Sequence, residues 1–216
     1  KSESEGDEFF FDITWDGKLL NDKNLMAVRK VKEVAIYDVN TLKSVASYKA
    51  GDEETIDGIF VSEKNDNIYI AGTDASENPI CTVINSAGEK LSQCEIAKGI
   101  VNGAVFGDDT AYILSSEASF EGGANKTYLT AIDLESGSQK YIVDTVGMVA
   151  NKIYYSDANG RDNILVESFS EMRLIDGKTG DIRQYYFKDK KTANVSTSED
   201  GSFLIYDEDG DCRCIG

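Results

Sequence analysis

Gly103-Ala-Val-Phe-Gly-Asp-Asp-Thr-Ala-Tyr-Ile-Leu114 strings together a glycine, an apolar run, a polar turn and a second apolar run. The same order recurs in Gly17-Lys-Leu-Leu-Asn-Asp-Lys-Asn-Leu-Met-Ala-Val28 and in Gly58-Ile-Phe-Val61 followed by Ile68-Tyr-Ile70. It returns in Gly147-Met-Val-Ala-Asn-Lys-Ile-Tyr-Tyr155 and, opening on alanine, in Ala193-Asn-Val-Ser-Thr-Ser-Glu-Asp-Gly-Ser-Phe-Leu-Ile-Tyr206. The openings stand 41, 45, 44 and 46 residues apart. A near-constant period of this size marks a chain built from stacked structural repeats.

A second phrase alternates with the first. Ala35-Ile-Tyr-Asp38, Thr82-Val-Ile-Asn85, Thr130-Ala-Ile-Asp133 and Arg173-Leu-Ile-Asp176 each close an apolar run on Asp or Asn. A short polar turn follows each, with glycine in three of the four, and then another alternating run. Asx and Gly suit a tight hairpin, because they tolerate left-handed backbone and Asx bonds its own chain. Flanks such as Val45-Ala-Ser-Tyr48 and Ile182-Arg-Gln-Tyr-Tyr-Phe187 are β-rich, and no stretch carries a sustained helical stripe. Each repeat therefore predicts four strands: A from the glycine, B, C ending on Asp or Asn, and D.

Four antiparallel strands every 40–48 residues is the pattern of a β-propeller blade. The chain resembles the WD-like, quinoprotein-like and YVTN-type propeller repeats, whose C–D hairpins carry the kind of phrase seen in Leu174-Ile-Asp-Gly-Lys-Thr-Gly180. The Gly-His and Trp-Asp markers of WD repeats are missing, so the resemblance is one of architecture. The ladder glycines read as positions on innermost strands, crowded near a common axis. The expectation is an all-β, five-bladed propeller over residues 9–216, preceded by an acidic tether at residues 1–8. Its blades span about 17–50, 51–97, 98–144, 145–190 and 191–216. Cys212-Arg-Cys-Ile-Gly216 aligns with Met172-Arg-Leu-Ile-Asp176, so the fifth repeat stops at its C strand. Residues 9–14, Phe-Phe-Phe-Asp-Ile-Thr, stand where a D strand precedes every later glycine, and they are expected to complete that blade and close the ring. The alternative is a piece of a ring of six to eight blades.

Composition narrows function by exclusion. With 39 acidic and 22 basic side chains the net charge is −17, which repels nucleic acid and anionic lipid and favours cations, basic proteins or neutral ligands. No histidine is present, which removes Ser-His-Asp and Cys-His catalysis and His-ligated zinc. No stretch has the roughly 18 apolar residues of a membrane-spanning helix. The acidic run Lys1-Ser-Glu-Ser-Glu-Gly-Asp-Glu8 is composed like a tether left after a signal or lipoprotein leader, which points to an extracytoplasmic setting.

Candidate sites follow from the loops. The B–C connections of the third and fourth repeats read as long, which makes the B–C end the candidate binding face. Trp15, Phe120 and the adjoining Glu121 are the candidate ligand contacts, for a protein or glycan. Asp157, Asn159 and Asp162, with Asp207, Asp209 and Asp211, place oxygen donors around glycines in two turns taken to share that face, a pattern that would suit calcium. Cys81 and Cys94 fall opposite each other across the second C–D hairpin, taken as a non-hydrogen-bonded pair within disulfide reach. Cys212 and Cys214 share one face of a strand and read as core packing. The functional expectation is a non-enzymatic binding or scaffolding propeller. The alternatives are a carboxylate-based glycoside hydrolase, which needs two suitably spaced carboxyls, and a calcium-stiffened adhesion module.

Overall fold

The computed structural model describes residues 17–20, 24–118, 125–145, 149–168, 171–186, 192–198, 201–207, 209–210 and 212–215. These form five antiparallel sheets in chain order. The first contains β1 (Gly17–Leu20), β2 (Leu25–Arg29), β3 (Glu33–Asp38) and β4 (Lys43–Lys49). The second contains β5 (Gly58–Val61), β6 (Ile68–Thr73), β7 (Pro79–Ile84) and β8 (Lys90–Glu95). The third contains β9 (Ile100–Phe106), β10 (Thr110–Glu117), β11 (Lys126–Asp133) and β12 (Gln139–Asp144). The fourth contains β13 (Ala150–Ser156), β14 (Asn163–Ser168), β15 (Met172–Asp176) and β16 (Ile182–Tyr186). The fifth contains β17 (Thr192–Thr197), β18 (Phe203–Asp207) and β19 (Cys212–Ile215). Each strand pairs with the next in sequence, so every sheet is a meander. Among the described residues no helix is long and apolar enough to cross a membrane.

The hairpins joining third and fourth strands are built alike in four sheets. Asp38, Asn85, Asp133 and Asp176 each fold their side chain over the turn. Asp38 Oδ1 accepts from the N–H groups of Asn40 and Thr41 at 3.0 and 2.8 Å, and Asn85 Oδ1 accepts from Ala87 and Glu89 at 2.9 and 3.0 Å. Asp133 and Asp176 do the same with Glu135 and Ser136, and with Lys178 and Thr179. A register shift falls at Ile36/Tyr37, Val83/Ile84, Ala131/Ile132 and Leu174/Ile175, just before the closing Asx each time. Such bulges raise the local twist that lets sheets stack face to face.

The core lies between sheets. Val34, Ile36, Ile59 and Ile68 join the first to the second; Tyr69, Cys81, Ile113 and Ile132 join the second to the third. Leu114, Leu129, Ile164 and Ile175 join the third to the fourth, and Leu165, Met172, Phe203 and Ile205 join the fourth to the fifth. Second and third strands are consequently apolar on both faces, whereas outer strands such as β8 alternate between exposed and half-buried.

Five expectations are corrected. In the repeat phrase Asn151-Lys152 reads as the polar turn of the fourth repeat, but β13 runs unbroken through it with a bulge between Ala150 and Lys152. Residues 157–163 and the apolar run Ile164-Leu-Val, expected as the long B–C connection of the fourth repeat, fold otherwise. Ile164-Leu-Val lies in β14, a buried second strand, so residues 157–162 form the A–B turn and not a B–C loop. The described ladder glycines are not crowded as a class: a Cβ on Gly17 or Gly58 would meet its neighbours at 3.6 Å, ordinary contact, and among them only at Gly103 would Ile153 stand as near as 3.2 Å. Cys81 does face Cys94 across β7 and β8, yet both thiols are free. Ile96 N–H donates to Pro79 O at 3.1 Å, and pairs alternate along an antiparallel ladder. Cys81 and Cys94 therefore occupy a hydrogen-bonded site, where side chains stand farther apart than the disulfide expectation assumed. Cys212 and Cys214 are exposed and form no part of the core.

Candidate functional site

One cavity of about 470 Å³ receives residues from the first strand of every sheet. Lys18 comes from β1, Phe60 and Val61 from β5, Val105 and Phe106 from β9, Tyr154 and Tyr155 from β13, and Thr197 from β17. In β5, β9, β13 and β17 these are residues at or next to the C-terminal end of the strand, and Glu63 and Lys64 join them from the turn after β5. The cavity therefore opens where first strands hand over to second strands. This is the end carrying the A–B and C–D turns, opposite the B–C end that the long loops suggested.

The walls are aromatic and held from behind. Phe106 meets Tyr69 with ring centroids 5.1 Å apart. Tyr155 stacks with Tyr112 at 6.2 Å, and its hydroxyl donates to Asp162 Oδ1 at 2.9 Å. Tyr112 reaches Asp162 Oδ2 at 3.4 Å. Tyr154 donates to Glu167 Oε2 at 2.7 Å, and Glu167 also takes Lys152 Nζ at 3.5 Å. Burial, and then the carboxylate each hydroxyl serves, raise the Tyr154 and Tyr155 phenols well above the usual tyrosine range. Both stay neutral donors at physiological pH.

Charge gathers at the mouth. Lys64 Nζ contacts Asp108 Oδ1 at 2.7 Å, and this hydrogen bond, with the charges of Asp108, Asp157 and Glu63, holds the Lys64 ammonium above the ordinary lysine value. Among the described lining residues Glu63 is the one carboxylate, beside the cations Lys18 and Lys64.

The structure redistributes the residues singled out by sequence. Asp157 and Asp162 lie on the A–B turn of the fourth sheet, at the cavity end, around a short 3-10 turn with Asn159 in left-handed backbone at φ 59°. Asp162 turns onto the two tyrosine hydroxyls, away from a shared cage with Asp157. Asp209 is exposed on the B–C turn of the fifth sheet, at the opposite end, so the two acidic turns do not share a face. Among the described residues no group of three or more His, Cys, Asp or Glu could hold a metal. Trp15, Phe120, Glu121 and Asp211, and the side chain of Asp207, lie outside what is described. Most cavity residues are single positions at the ends of five strands, which no sequence pattern joins. The one local signal is the aromatic pair Tyr154-Tyr155, which the repeat phrase places on a second strand and the structure on a first.

No family model matches the sequence, and no curated protein matches it. Among solved structures the chain is similar to a protein of unknown function from Bacteroides caccae, at 15% identity and a TM-score of 0.49. The match covers 83% of this chain and 64% of that one, so this chain spans less than two thirds of its neighbour's length.

Proposed function

We propose that the five sheets are the blades of a β-propeller, closed by residues 9–14 as the fourth strand of the fifth blade. We further propose that it acts outside the cytoplasm as a non-enzymatic binding protein for a protein or glycan ligand held in the cavity at its A–B end. The observation that carries this reading is the cavity itself. Five strands distributed from residue 17 to residue 197 send side chains to one space, as a radial arrangement of sheets around an axis would have them do. The succession of cores, each between one sheet and the next, agrees with it. A cavity of this size with aromatic walls and a few charged groups suits a small ligand or one inserted side chain. The extracytoplasmic setting rests on the tether-like composition of residues 1–8.

The test separates the two ends of the sheets. Thr197 is exposed and lines the cavity, so Thr197→Trp should fill it and remove capture of peptides and oligosaccharides from a defined panel in titration calorimetry. Replacing residues 118–125 at the B–C end with a short Gly-Ser linker should leave capture unchanged. The reverse outcome would return the binding face to the B–C loops.

A further inference from the structure

We propose that the cavity receives a cationic side chain, lysine or arginine, of a basic peptide segment. The inference rests on the cavity being the binding site and narrows what enters it. Two observations support it independently. Four aromatic residues line the space: Phe60, Phe106, Tyr154 and Tyr155. Ring faces attract cations electrostatically, more so when water is excluded. The two phenols donate their hydroxyl protons to Asp162 and Glu167, at 2.9 and 2.7 Å, which leaves their rings richer in electron density than free phenols.

The second observation is the ammonium already at the mouth. Lys64 lines the cavity, bonded to Asp108 at 2.7 Å and within the field of Asp157 and Glu63. The mouth thus receives one ammonium with three carboxylates. A second cation from outside would meet the same carboxylates and compete with Lys64 for them. Glu63, Asp108 and Asp157 act on Lys64, three carboxylates against the two lining cations Lys18 and Lys64, so these groups carry an excess of negative charge. The net charge of −17 extends this field outward and would draw in a basic partner. An anionic or sulfated ligand would meet the opposite.

Lys64 gives the test its sign. A fluorescent peptide bearing two lysines is titrated by anisotropy beside its Nε-acetylated twin, a neutral oligosaccharide and a sulfated oligosaccharide. The lysine peptide should bind, its acetylated twin should not, and affinity should fall as salt is added. Asp108→Asn with Asp157→Asn should weaken binding about two- to fivefold per exposed charge, and Lys64→Ala should tighten it by a similar factor. Weakening by Lys64→Ala, or preference for the neutral or sulfated sugar, would overturn the cationic assignment. Thr197→Trp keeps the two readings apart. If it abolishes sugar binding while the lysine peptide never binds, the cavity stands and the cation falls. If the lysine peptide binds Thr197→Trp as well as the parent protein, both fall.

Discussion

At the scale of single residues, Leu42 breaks a pattern that three glycines keep. Leu42, Gly88, Gly137 and Gly180 occupy the same place in their hairpins, each donating its N–H to the carbonyl of the Asx that opens the turn. All four are left-handed, with φ of 55°, 78°, 66° and 78°. At Gly88 a Cβ would come within 2.6 Å of Ser47 O on the outer strand of the preceding sheet, and at Gly180 within 2.6 Å of Val143. Leu42 has space and is 63% exposed, so it bears the left-handed penalty without that crowding. Leu42→Gly should therefore stabilise the protein by about 1 kcal/mol. Gly88→Ala should cost about 1–3 kcal/mol, because it adds a steric conflict with backbone to the same penalty. Urea denaturation of both variants checks the opposite signs, and Gly17→Ala, whose Cβ would meet Met26 at an ordinary 3.6 Å, serves as the control. Thiol labelling is a second test at this scale. Cys212 and Cys214 are exposed, Cys81 is fully buried, and burial pushes Cys94 up to about 11. The native protein should accordingly titrate two thiols quickly with a disulfide reagent, and the remainder only on unfolding. Fast labelling of Cys81 would contradict the packing between the second and third sheets.

The hairpin is the element that repeats most faithfully, and its Asx side chain makes it sensitive to acid. The N–H of Ser136, then the Ser136 hydroxyl and Lys140, hold the Asp133 carboxyl down at about 2, below its ordinary 3.8. A carboxyl whose pKa is lower folded than unfolded contributes its full stability above the unfolded value and loses it as pH falls toward the folded one. Asp133→Asn should keep the turn, since Asn85 already performs this role in the second sheet, while flattening the loss of stability between about pH 3.8 and about pH 2. Thermal melts across that window, parent against variant, decide it; equal slopes would mean the charge on Asp133 contributes nothing. These hairpins were legible in the sequence because Asx-turn chemistry is local: Asp38, Asn85, Asp133 and Asp176 announce it within five residues. The fourth sheet's first half was not legible. Asn151-Lys152 has turn-like composition, and only the bulge beside Ala150 carries the strand through it. Ile164-Leu-Val lacks alternation because β14 is buried on both faces, and such a strand has no period to read. The cavity was less legible still. Phe60, Phe106, Tyr155 and Thr197 are joined by the stacking of sheets, which no window of sequence contains.

For the whole molecule, the hairpins supply a rule about neighbours. The turn at Gly88 seats on β4, through Ser47; the turn at Gly137 seats on β8, through Ser92; the turn at Gly180 seats on β12, through Tyr141 and Val143. The second, third and fourth sheets thus each place their C–D turn against the outer strand of the sheet before. Carried once around a closed ring, the rule gives the first sheet's turn at Asp38–Leu42 a seat on the outer strand of the fifth. The fifth sheet has three strands among the described residues, ending at β19, and the exposed Leu42 is where that contact would fall. If residues 9–14 supply the missing strand, deleting residues 1–15 removes both a strand and the seat of the first hairpin. The second, third and fourth sheets each share a core with both neighbours, so the loss should spread: a fall of many degrees in the melting temperature and a broader transition. If residues 1–7 are tether, deleting them should leave the melt within a degree or so, since surface changes of this kind stay within about 0.5 kcal/mol. Equal melts for the two deletions would overturn the proposal that residues 9–14 complete the fifth sheet. The Leu42→Gly variant then refines the outcome. Under closure its gain should persist in the 1–7 deletion and shrink in the 1–15 deletion, because the turn would have lost the strand it leans on.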